Sequence, residues 1–224
     1  MTSLVVSVIG AGRIGATVTA HLQTAPDYRL GRVLTRSGVP DTGQIDEFLS
    51  TQADLIIDAA GPSALASYGV ACLRRAELWS VGAAALADET LRQALRQSAQ
   101  SAGTRLRLFA PWAFGIGCVP VQDGQSLTLR IARPGLTNWD GPLAEAISRF
   151  PDELNFAMAA ALCGPGVAAT CVDLRDGAHC LEAWLTTSGM TYHSSVCFDG
   201  TGPHPTAQSL IAALDARLAP FAYG

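Results

Sequence analysis

The sequence predicts an α/β protein in which a parallel β-sheet covered by helices is followed by a second, smaller α+β domain. In the first half, apolar runs of strand length alternate with segments whose apolar residues recur at helical spacing. After Pro111 this regular alternation ends, and strand and helix patterns follow in a mixed order. We therefore expect a first domain over residues 1–110, a second over 111–204, and a closing helix over 205–219 that returns to the first domain.

The first half contains a series of apolar strand patterns, each bounded by turn residues. They cover Leu4–Ile9, Leu30–Leu34, Asp54–Ala59, Leu78–Val81 and Arg105–Phe109. Four helical patterns lie between these strands. The first has Ile14, Val18 and Leu22 on a single face, and the second is a short helix around Ile45–Leu49. The third covers Ala64–Arg75, and the fourth begins after Asp88 and ends at Gly103. Asp88 is a predicted N-cap and Gly103 a predicted C-terminal stop. Together these elements predict an open parallel sheet with helices on both faces.

The second half predicts a mixed sheet with helices. Strand patterns cover Leu127–Ile131, Thr170–Leu174, His179–Thr186 and Tyr192–Phe198, and helical patterns cover Leu143–Phe150 and Leu154–Leu162. The segment "ARPGLTNWDGP" over 132–142 is predicted to be a loop. Because Arg175-Asp176-Gly177 is typical of a turn, we expect the strands on either side of it to form a hairpin.

Composition narrows the possible functions. Hydrophobic residues make up 49% and charged residues 15%, so a large buried core is expected. The net charge of −4 without a basic cluster argues against nucleic acid as a partner, and no apolar run approaches the roughly 18 residues that span a membrane. All 15 cationic side chains are arginines, which excludes Schiff-base chemistry on a lysine. The N-terminus has no signal-peptide pattern, so we expect a cytoplasmic protein whose six cysteines are buried reduced thiols rather than disulfides or zinc ligands.

The most informative motif is "VIGAGRIG", which places Gly10, Gly12 and Gly15 in G-x-G-x-x-G spacing between a buried strand and an amphipathic helix. Gly10 permits a tight turn, Gly12 lets the backbone approach a pyrophosphate, and Gly15 lets the helix pack closely on the strand. The helix N-terminus offers unpaired N–H groups and a positive partial charge. This context predicts a Rossmann-type domain that binds a dinucleotide; a glycine turn without a ligand is the alternative. The expected cofactor contacts are Gly10, Gly12, Arg13, Ile14, Gly15 and Ala60.

The end of the second strand indicates which dinucleotide is bound. An acidic residue about 20 residues beyond the glycine motif holds the ribose 2′-hydroxyl of NAD. This sequence instead has Thr35, Arg36 and Ser37 there. A guanidinium attracts a 2′-phosphate through charge-assisted hydrogen bonds, so Arg36 favours NADP(H) over NAD. The alternatives are an ordinary solvated arginine, or one that stacks on the adenine of either cofactor.

Several stretches, taken with the glycine motif, resemble the L-aspartate dehydrogenase family. They are "ADLIIDAAGPSALASYG", "LWSVGAAALADETL", "FPDELNFAMAAALCGPG" and the strand that follows His179, in matching order over most of the chain. The resemblance implies oxidation of L-aspartate by NAD(P) through iminosuccinate. It also implies three site residues: Ala113 in a loop that lines the nicotinamide side of the cleft, Asn155 near the reacting carbon of the cofactor, and His179 as the catalytic histidine.

Histidine suits this chemistry because oxidation of an amine removes a proton from nitrogen, and hydrolysis of the imine requires a base to activate water. A dicarboxylate substrate would bind arginines, for which Arg133 and Arg175 are candidates. Considered without the resemblance, His179 is a strand-end histidine bonded to backbone, and Asn155 is a possible helix cap.

Three segments depart from the family pattern. The loop "WAFGIGCV" lacks the family's aspartate, "PHPTAQS" places Pro205 and Ala207 where the family has a lysine and a serine, and the stretch from Asn155 to His179 is shorter than usual. These departures keep two alternatives open: an imine reductase or related dehydrogenase with a different substrate, and a non-catalytic NADP(H)-binding protein. The expected partners are a small-molecule substrate and, because the second half is apolar, a second copy of the chain in a homodimer.

Overall fold

The computed structural model describes residues 3–109, 119–150 and 153–220. The chain divides into two compact units, the first spanning 1–109 and 203–223 and the second spanning 110–202. Within the described ranges, no helix combines the length and apolar character that crossing a lipid bilayer requires.

The first unit is built on a parallel sheet of five strands in the order β2-β1-β3-β4-β5. The strands are β1 (Leu4–Ile9), β2 (Tyr28–Leu34), β3 (Leu55–Asp58), β4 (Glu77–Ser80) and β5 (Leu106–Leu108). The chain proceeds from β1 to one side of the sheet and from β3 to the other, so the strand order reverses between β1 and β3. Ligands of open α/β sheets bind beyond the carboxyl ends of the strands at such a point. The predicted Rossmann-type sheet is confirmed.

Helices cover this sheet. They are α1 (Arg13–Thr24), α2 (Ile45–Ser50), α3 (Pro62–Leu73), α4 (Glu89–Ala102) and the closing helix (Pro205–Leu218), with a short 3₁₀ helix over Ala83–Ala87. On one face, Val18 and Leu22 of α1 and Leu210 and Leu214 of the closing helix are buried in a core with apolar side chains of β1, β3 and β4. The Tyr28 hydroxyl donates to the Leu214 carbonyl oxygen at 2.7 Å, which ties the closing helix to β2.

The ends of α4 confirm the two capping residues predicted from the sequence. The Asp88 carboxylate accepts hydrogen bonds from the N–H groups of Thr90 at 2.8 Å and Leu91 at 3.3 Å. At the other end, Gly103 takes φ +66°, the left-handed conformation that ends many helices. Local side-chain chemistry therefore sets both boundaries of this helix.

The second unit contains a mixed sheet in the order β10-β9-β6-β8-β7. Its strands are β6 (Ser126–Arg133), β7 (Trp139–Pro142), β8 (Thr170–Asp176), β9 (Cys180–Thr186) and β10 (Thr191–Cys197). β6 and β8 are parallel, and the other neighbouring pairs are antiparallel. Two helices, α5 (Leu143–Arg149) and α6 (Asn155–Cys163), lie between β7 and β8 in the chain. Side chains alternate along the strands, so that Leu127, Leu129 and Ile131 are buried while their neighbours are more exposed.

Two predictions for this unit are wrong. The segment 132–142 is not entirely loop, because Trp139–Pro142 forms β7 at the edge of the sheet, although its glycine and proline hide any strand pattern. β8 and β9 do not form a hairpin either, since β6 lies between them, with Arg133 opposite Asp176 and Ala132 opposite Cys180. A local pattern indicates strands, but it does not show whether a third strand lies between two consecutive ones.

The cysteine prediction also needs correction. Cys180 and Cys197 are directly opposite in the β9–β10 ladder and form a disulfide. Cys72 is a free and buried thiol as expected, whereas the free thiols Cys163 and Cys171 are exposed. The sequence could not show this pairing because it depends on the register of two antiparallel strands.

Candidate functional site

The glycine turn after β1 has a different steric constraint at each of its three glycines. Gly10 takes φ +99°, and its N–H donates to the Leu34 carbonyl oxygen at 2.8 Å. A Cβ on Gly15 would lie 1.9 Å from the Gly10 carbonyl oxygen, so only glycine lets α1 begin this close to the turn. A Cβ on Gly12 would meet no atom of the described chain within 4 Å. The backbone at Gly12 is thus open to the approach of a pyrophosphate.

The N-terminus of α1 completes this anion site. Its N-cap residue is Gly12, no side chain caps the helix, and its first turn contains no acidic residue. The helical ladder begins with the Ala16 N–H, which donates to the Gly12 carbonyl oxygen at 2.8 Å. The preceding N–H groups of the first turn are those that an anion can bind. Of the two predicted contacts in this turn, Arg13 is exposed and Ile14 packs partly buried against the core.

Ala60 follows β3, one of the two strands between which the strand order reverses. The Ala59 N–H donates to the Ile9 carbonyl oxygen at 2.9 Å, which joins the carboxyl end of β3 to that of β1. A Cβ on Gly10 would lie 3.0 Å from the Ala60 Cβ, so the glycine turn and the loop after β3 are in close contact. Ala60 itself is exposed, so the residue that contacts Gly10 is also accessible to a ligand.

Asp58, which is not among the site residues predicted from the sequence, ends β3 at this edge. Asp58 is 1% exposed, and its Oδ1 accepts hydrogen bonds from the N–H groups of Ala60 at 3.0 Å and Gly61 at 3.3 Å. Its Oδ2 accepts from the Ser80 hydroxyl at 2.6 Å. Burial raises the pKa of Asp58 to about 6, while these hydrogen bonds lower it. The available signal was an acid at the end of an apolar strand, directly before Ala-Ala-Gly-Pro.

Arg36 is exposed and lies two residues after β2, whose last residue, Leu34, accepts the Gly10 N–H at its carbonyl oxygen. The nearest acid along the chain, Asp41, is occupied within the first unit: it accepts from the Val33 N–H at 2.9 Å and pairs with Arg32. The Thr35 N–H donates to the Thr42 carbonyl oxygen at 2.9 Å, which closes the loop that presents Arg36. No acidic partner of Arg36 is found among the described residues.

His179 lies in the second unit, immediately before β9, and its side chain is exposed. Its ring centroid is 4.7 Å from that of Phe198, and its carbonyl oxygen accepts from the Phe198 N–H at 2.8 Å. Partial desolvation, and then the nearby Arg133 guanidinium, lower the pKa of His179 from its ordinary 6.5. The neutral imidazole, which acts as a base, is therefore favoured down to lower pH than in a free histidine.

The other candidates of the second unit are placed as follows. Asn155 is the first residue of α6, and Leu154 occupies the N-cap position. Arg133 pairs with Glu153, and Arg175 pairs with Asp173 at 2.6 Å, so both candidate substrate arginines have carboxylate partners. Ala113 lies outside the described residues.

Comparison with known proteins identifies the family. The profile described as "Homoserine dehydrogenase, NAD binding domain" matches residues 10–108. The L-aspartate dehydrogenase of Ruegeria pomeroyi is 30% identical, in an alignment that covers 75% of this chain and 73% of the relative. The chain belongs to the L-aspartate dehydrogenase family.

Further comparisons agree with membership of the L-aspartate dehydrogenase family. L-aspartate dehydrogenase 2 of Bordetella bronchiseptica is 30% identical, in an alignment that covers 71% of this chain and 66% of the relative. The crystal structure of aspartate dehydrogenase from Thermotoga maritima has the same fold, with a TM-score of 0.81, 18% identity and 99% coverage of both chains. The first unit of this family member is thus an NAD-binding domain, whereas the roles of His179, Asn155 and Ala113 stay predictions.

Proposed function

We propose that the protein is an NAD(P)-dependent oxidoreductase that acts on the C–N bond of an amino acid or imino acid, with L-aspartate and iminosuccinate as the leading pair. The observation that carries this proposal is the glycine turn, because each of its three glycines has the geometry that a dinucleotide site requires. The relatives named L-aspartate dehydrogenase supply the substrate class.

In the proposed reaction, oxidation removes a hydride from the α-carbon of L-aspartate and a proton from its nitrogen, which yields iminosuccinate. A bound nicotinamide would supply the hydride acceptor. His179 accepts the proton and releases it to solvent; the neutral imidazole then takes a proton from the water that converts the imine to oxaloacetate and ammonia. Its lowered pKa keeps the imidazole neutral for this task near neutral pH. The Asn155 amide orients the cofactor or substrate by hydrogen bonding without adding charge.

Substrate binding requires cations, because a dicarboxylate loses its hydration when it enters a site. Arg133 and Arg175 are the proposed partners, and their ion pairs with Glu153 and Asp173 mean that a substrate would exchange one carboxylate for another. We also propose that the cofactor is NADP(H) rather than NAD, since Arg36 is exposed in the turn after β2 while Asp41 is held by Arg32.

The proposed function is tested by assaying the purified protein in both directions. L-aspartate with NAD⁺ or NADP⁺ should generate reduced cofactor, and oxaloacetate with ammonium should oxidise it. His179→Ala should lose most of kcat, since general acid–base catalysis contributes about 10²–10⁴-fold. His193→Ala is the matched control, because His193 is an exposed histidine of the same sheet and should leave kcat unchanged. Absence of turnover in both directions would remove the aspartate assignment, and equal rates for the two variants would remove His179 from catalysis.

A second candidate function is an imine reductase or related dehydrogenase with a different substrate. It is favoured by the start of the closing helix, where Pro205 is the first helical residue and Ala207 is fully buried. A proline and a buried methyl group provide neither the ammonium nor the hydroxyl that the family pattern has at these positions. Turnover of other imines, or of other 2-oxo acids with ammonia, in the absence of aspartate activity would favour this candidate. Cofactor binding with no turnover of any of them would favour a non-catalytic protein.

The homodimer expected from the apolar second half also stays a proposal. Light scattering during size-exclusion chromatography measures the mass directly. A mass equal to that of one chain would contradict it.

A further inference from the structure

Asp58 occupies a position that apolar side chains could fill without the desolvation that a buried carboxylate requires. It ends β3, directly below the point where the strand order reverses, and is 1% exposed. Its two oxygens accept hydrogen bonds from Ala60, Gly61 and Ser80, at 3.0, 3.3 and 2.6 Å. Burial raises the pKa of its carboxyl group to about 6. A buried carboxylate that has lost its hydration and makes three hydrogen bonds holds the neighbouring backbone in one position.

The backbone that Asp58 holds belongs to the loop between β3 and α3. Gly61 takes φ +97° and is followed by Pro62, the first residue of α3. Both N–H groups that Asp58 binds lie in the two residues before Pro62, so the carboxylate sets how this loop turns into the helix. Ala60 at the start of the loop is the residue in close contact with Gly10 of the glycine turn.

Ser80 connects this loop to the next one. Its hydroxyl donates to Asp58 and accepts from the Gly82 N–H at 2.9 Å, so one serine joins the ends of β3 and β4. Gly82 lies against the loop after β3, because a Cβ on it would come within 2.6 Å of the Gly61 carbonyl carbon and 2.9 Å of the Pro62 nitrogen. The carboxyl edge of β3 and β4 is therefore one tightly packed surface with Asp58 and Ser80 beneath it.

We propose that Asp58, acting through Ser80 and the loop Ala60–Pro62, is a positioning residue for the nicotinamide half of the dinucleotide. This inference rests on the proposed cofactor site. In a doubly wound sheet, the adenosine half lies over the strands on the side of β2 and the nicotinamide half over those on the opposite side, which here begins with β3. The Asp58–Ser80 pair joins β3 to β4, whereas Arg36 follows β2, on the opposite side of β1.

The test compares the whole dinucleotide with the same molecule without its nicotinamide ring, namely ADP-ribose or its 2′-phosphate, matched to the cofactor that the wild type binds more tightly. Ser80→Ala should weaken binding of the dinucleotide about tenfold, equivalent to about 1.4 kcal/mol, and leave the fragment within about twofold. Ser98→Ala is the matched control, because Ser98 is another buried serine of this unit whose hydroxyl bonds the Val70 carbonyl oxygen. It should leave both affinities unchanged.

Asp58→Asn provides a second variant that keeps the shape of the side chain. Its amide oxygen can still accept from Ala60 and Gly61 while its NH₂ donates to Ser80, so the same selective loss should be seen, but smaller. Equal losses for dinucleotide and fragment, or no loss for either, would overturn the inference even where the wild type binds the cofactor. A wild-type protein that binds neither NAD(H) nor NADP(H) would overturn the proposed function itself, and this inference with it.

Discussion

Gly12→Ala separates cofactor binding from folding more cleanly than any other change in the glycine turn. A Cβ at this position would meet no atom of the described chain within 4 Å, and Gly12 takes φ −72°, which alanine adopts without strain. Alanine is a poorer N-cap than glycine by about 0.5–1 kcal/mol. It also restricts the unfolded chain, which stabilises the folded state by about 0.4–1 kcal/mol. The free energy of unfolding should therefore change by less than about 1 kcal/mol.

Cofactor affinity should respond very differently. The added methyl group would stand where the pyrophosphate must approach the first turn of α1, and so would hold the phosphates away from its N–H groups. A hydrogen bond to a charged group contributes about 1.5–3 kcal/mol. Loss of one such bond, at about 2 kcal/mol, weakens binding about thirtyfold.

The measurement pairs a denaturant unfolding curve with a titration of NADP(H) and NAD(H), for Gly12→Ala and for Gly15→Ala. The Gly15 variant is the contrast, because its Cβ would lie 1.9 Å from the Gly10 carbonyl oxygen and force the backbone to move. Overpacking of this kind costs about 1–3 kcal/mol or more, so this variant should lose stability as well as affinity. If Gly12→Ala binds both dinucleotides as tightly as the wild type, the pyrophosphate does not lie against the glycine turn.

Three further predictions concern charge, proton transfer and the disulfide. Arg36→Glu should lower kcat/KM for NADP⁺ about thirtyfold, which corresponds to the loss of one hydrogen bond of about 2 kcal/mol, and should change kcat/KM for NAD⁺ little. If the ratio of kcat/KM for NADP⁺ to that for NAD⁺ is unchanged, Arg36 does not bind the 2′-phosphate. Because desolvation and Arg133 lower the pKa of His179, the acidic limb of the pH profile of kcat/KM should lie below pH 6.5. Arg133→Gln should move this limb to higher pH. If the limb does not move, Arg133 does not lower the pKa of His179. Thiol titration of the denatured chain should gain two thiols on reduction, and replacing Cys180 and Cys197 by serine should lower the free energy of unfolding by about 3 kcal/mol for a separation of 17 residues. An unchanged thiol count would contradict the bond.

The first unit could be predicted closely because its elements are set by local patterns. Central parallel strands are apolar throughout, and the ends of α4 are marked by Asp88 and Gly103, whose capping chemistry involves only neighbouring residues. The glycine turn belongs to the same class, since its strand, spacing and helix are contiguous in the chain. Among the strands, only Leu4–Ile9 matched to the residue at both ends, while the other strands differ at one end or both, because the last residues of a strand depend on packing.

The Asp58–Ser80 pair shows what a local pattern does not contain. These two residues are 22 positions apart and come together only because β3 and β4 are parallel neighbours, with Asp58 opposite Ser80 in the register. A single aspartate after an apolar strand is equally typical of a solvated strand end. Its proposed positioning role can be inferred only from the strand order, which places Asp58 at the carboxyl edge next to the point where that order reverses.

The position of His179 is also set by long-range strand pairing. This pairing decides whether the shorter stretch between Asn155 and His179 can displace the histidine. His179 directly precedes Cys180, which lies opposite Ala132 of β6 and is bonded to Cys197 of β10. Its place is therefore set by the strands on both sides of β9, whereas the shortening lies upstream, anywhere between Asn155 and His179. The connection at 164–169, between α6 and β8, can absorb a change of length without altering the β6–β9 register. The shortened stretch by itself thus gives no physical reason to reject His179 as the catalytic base, and the comparison of His179→Ala with His193→Ala addresses that role directly.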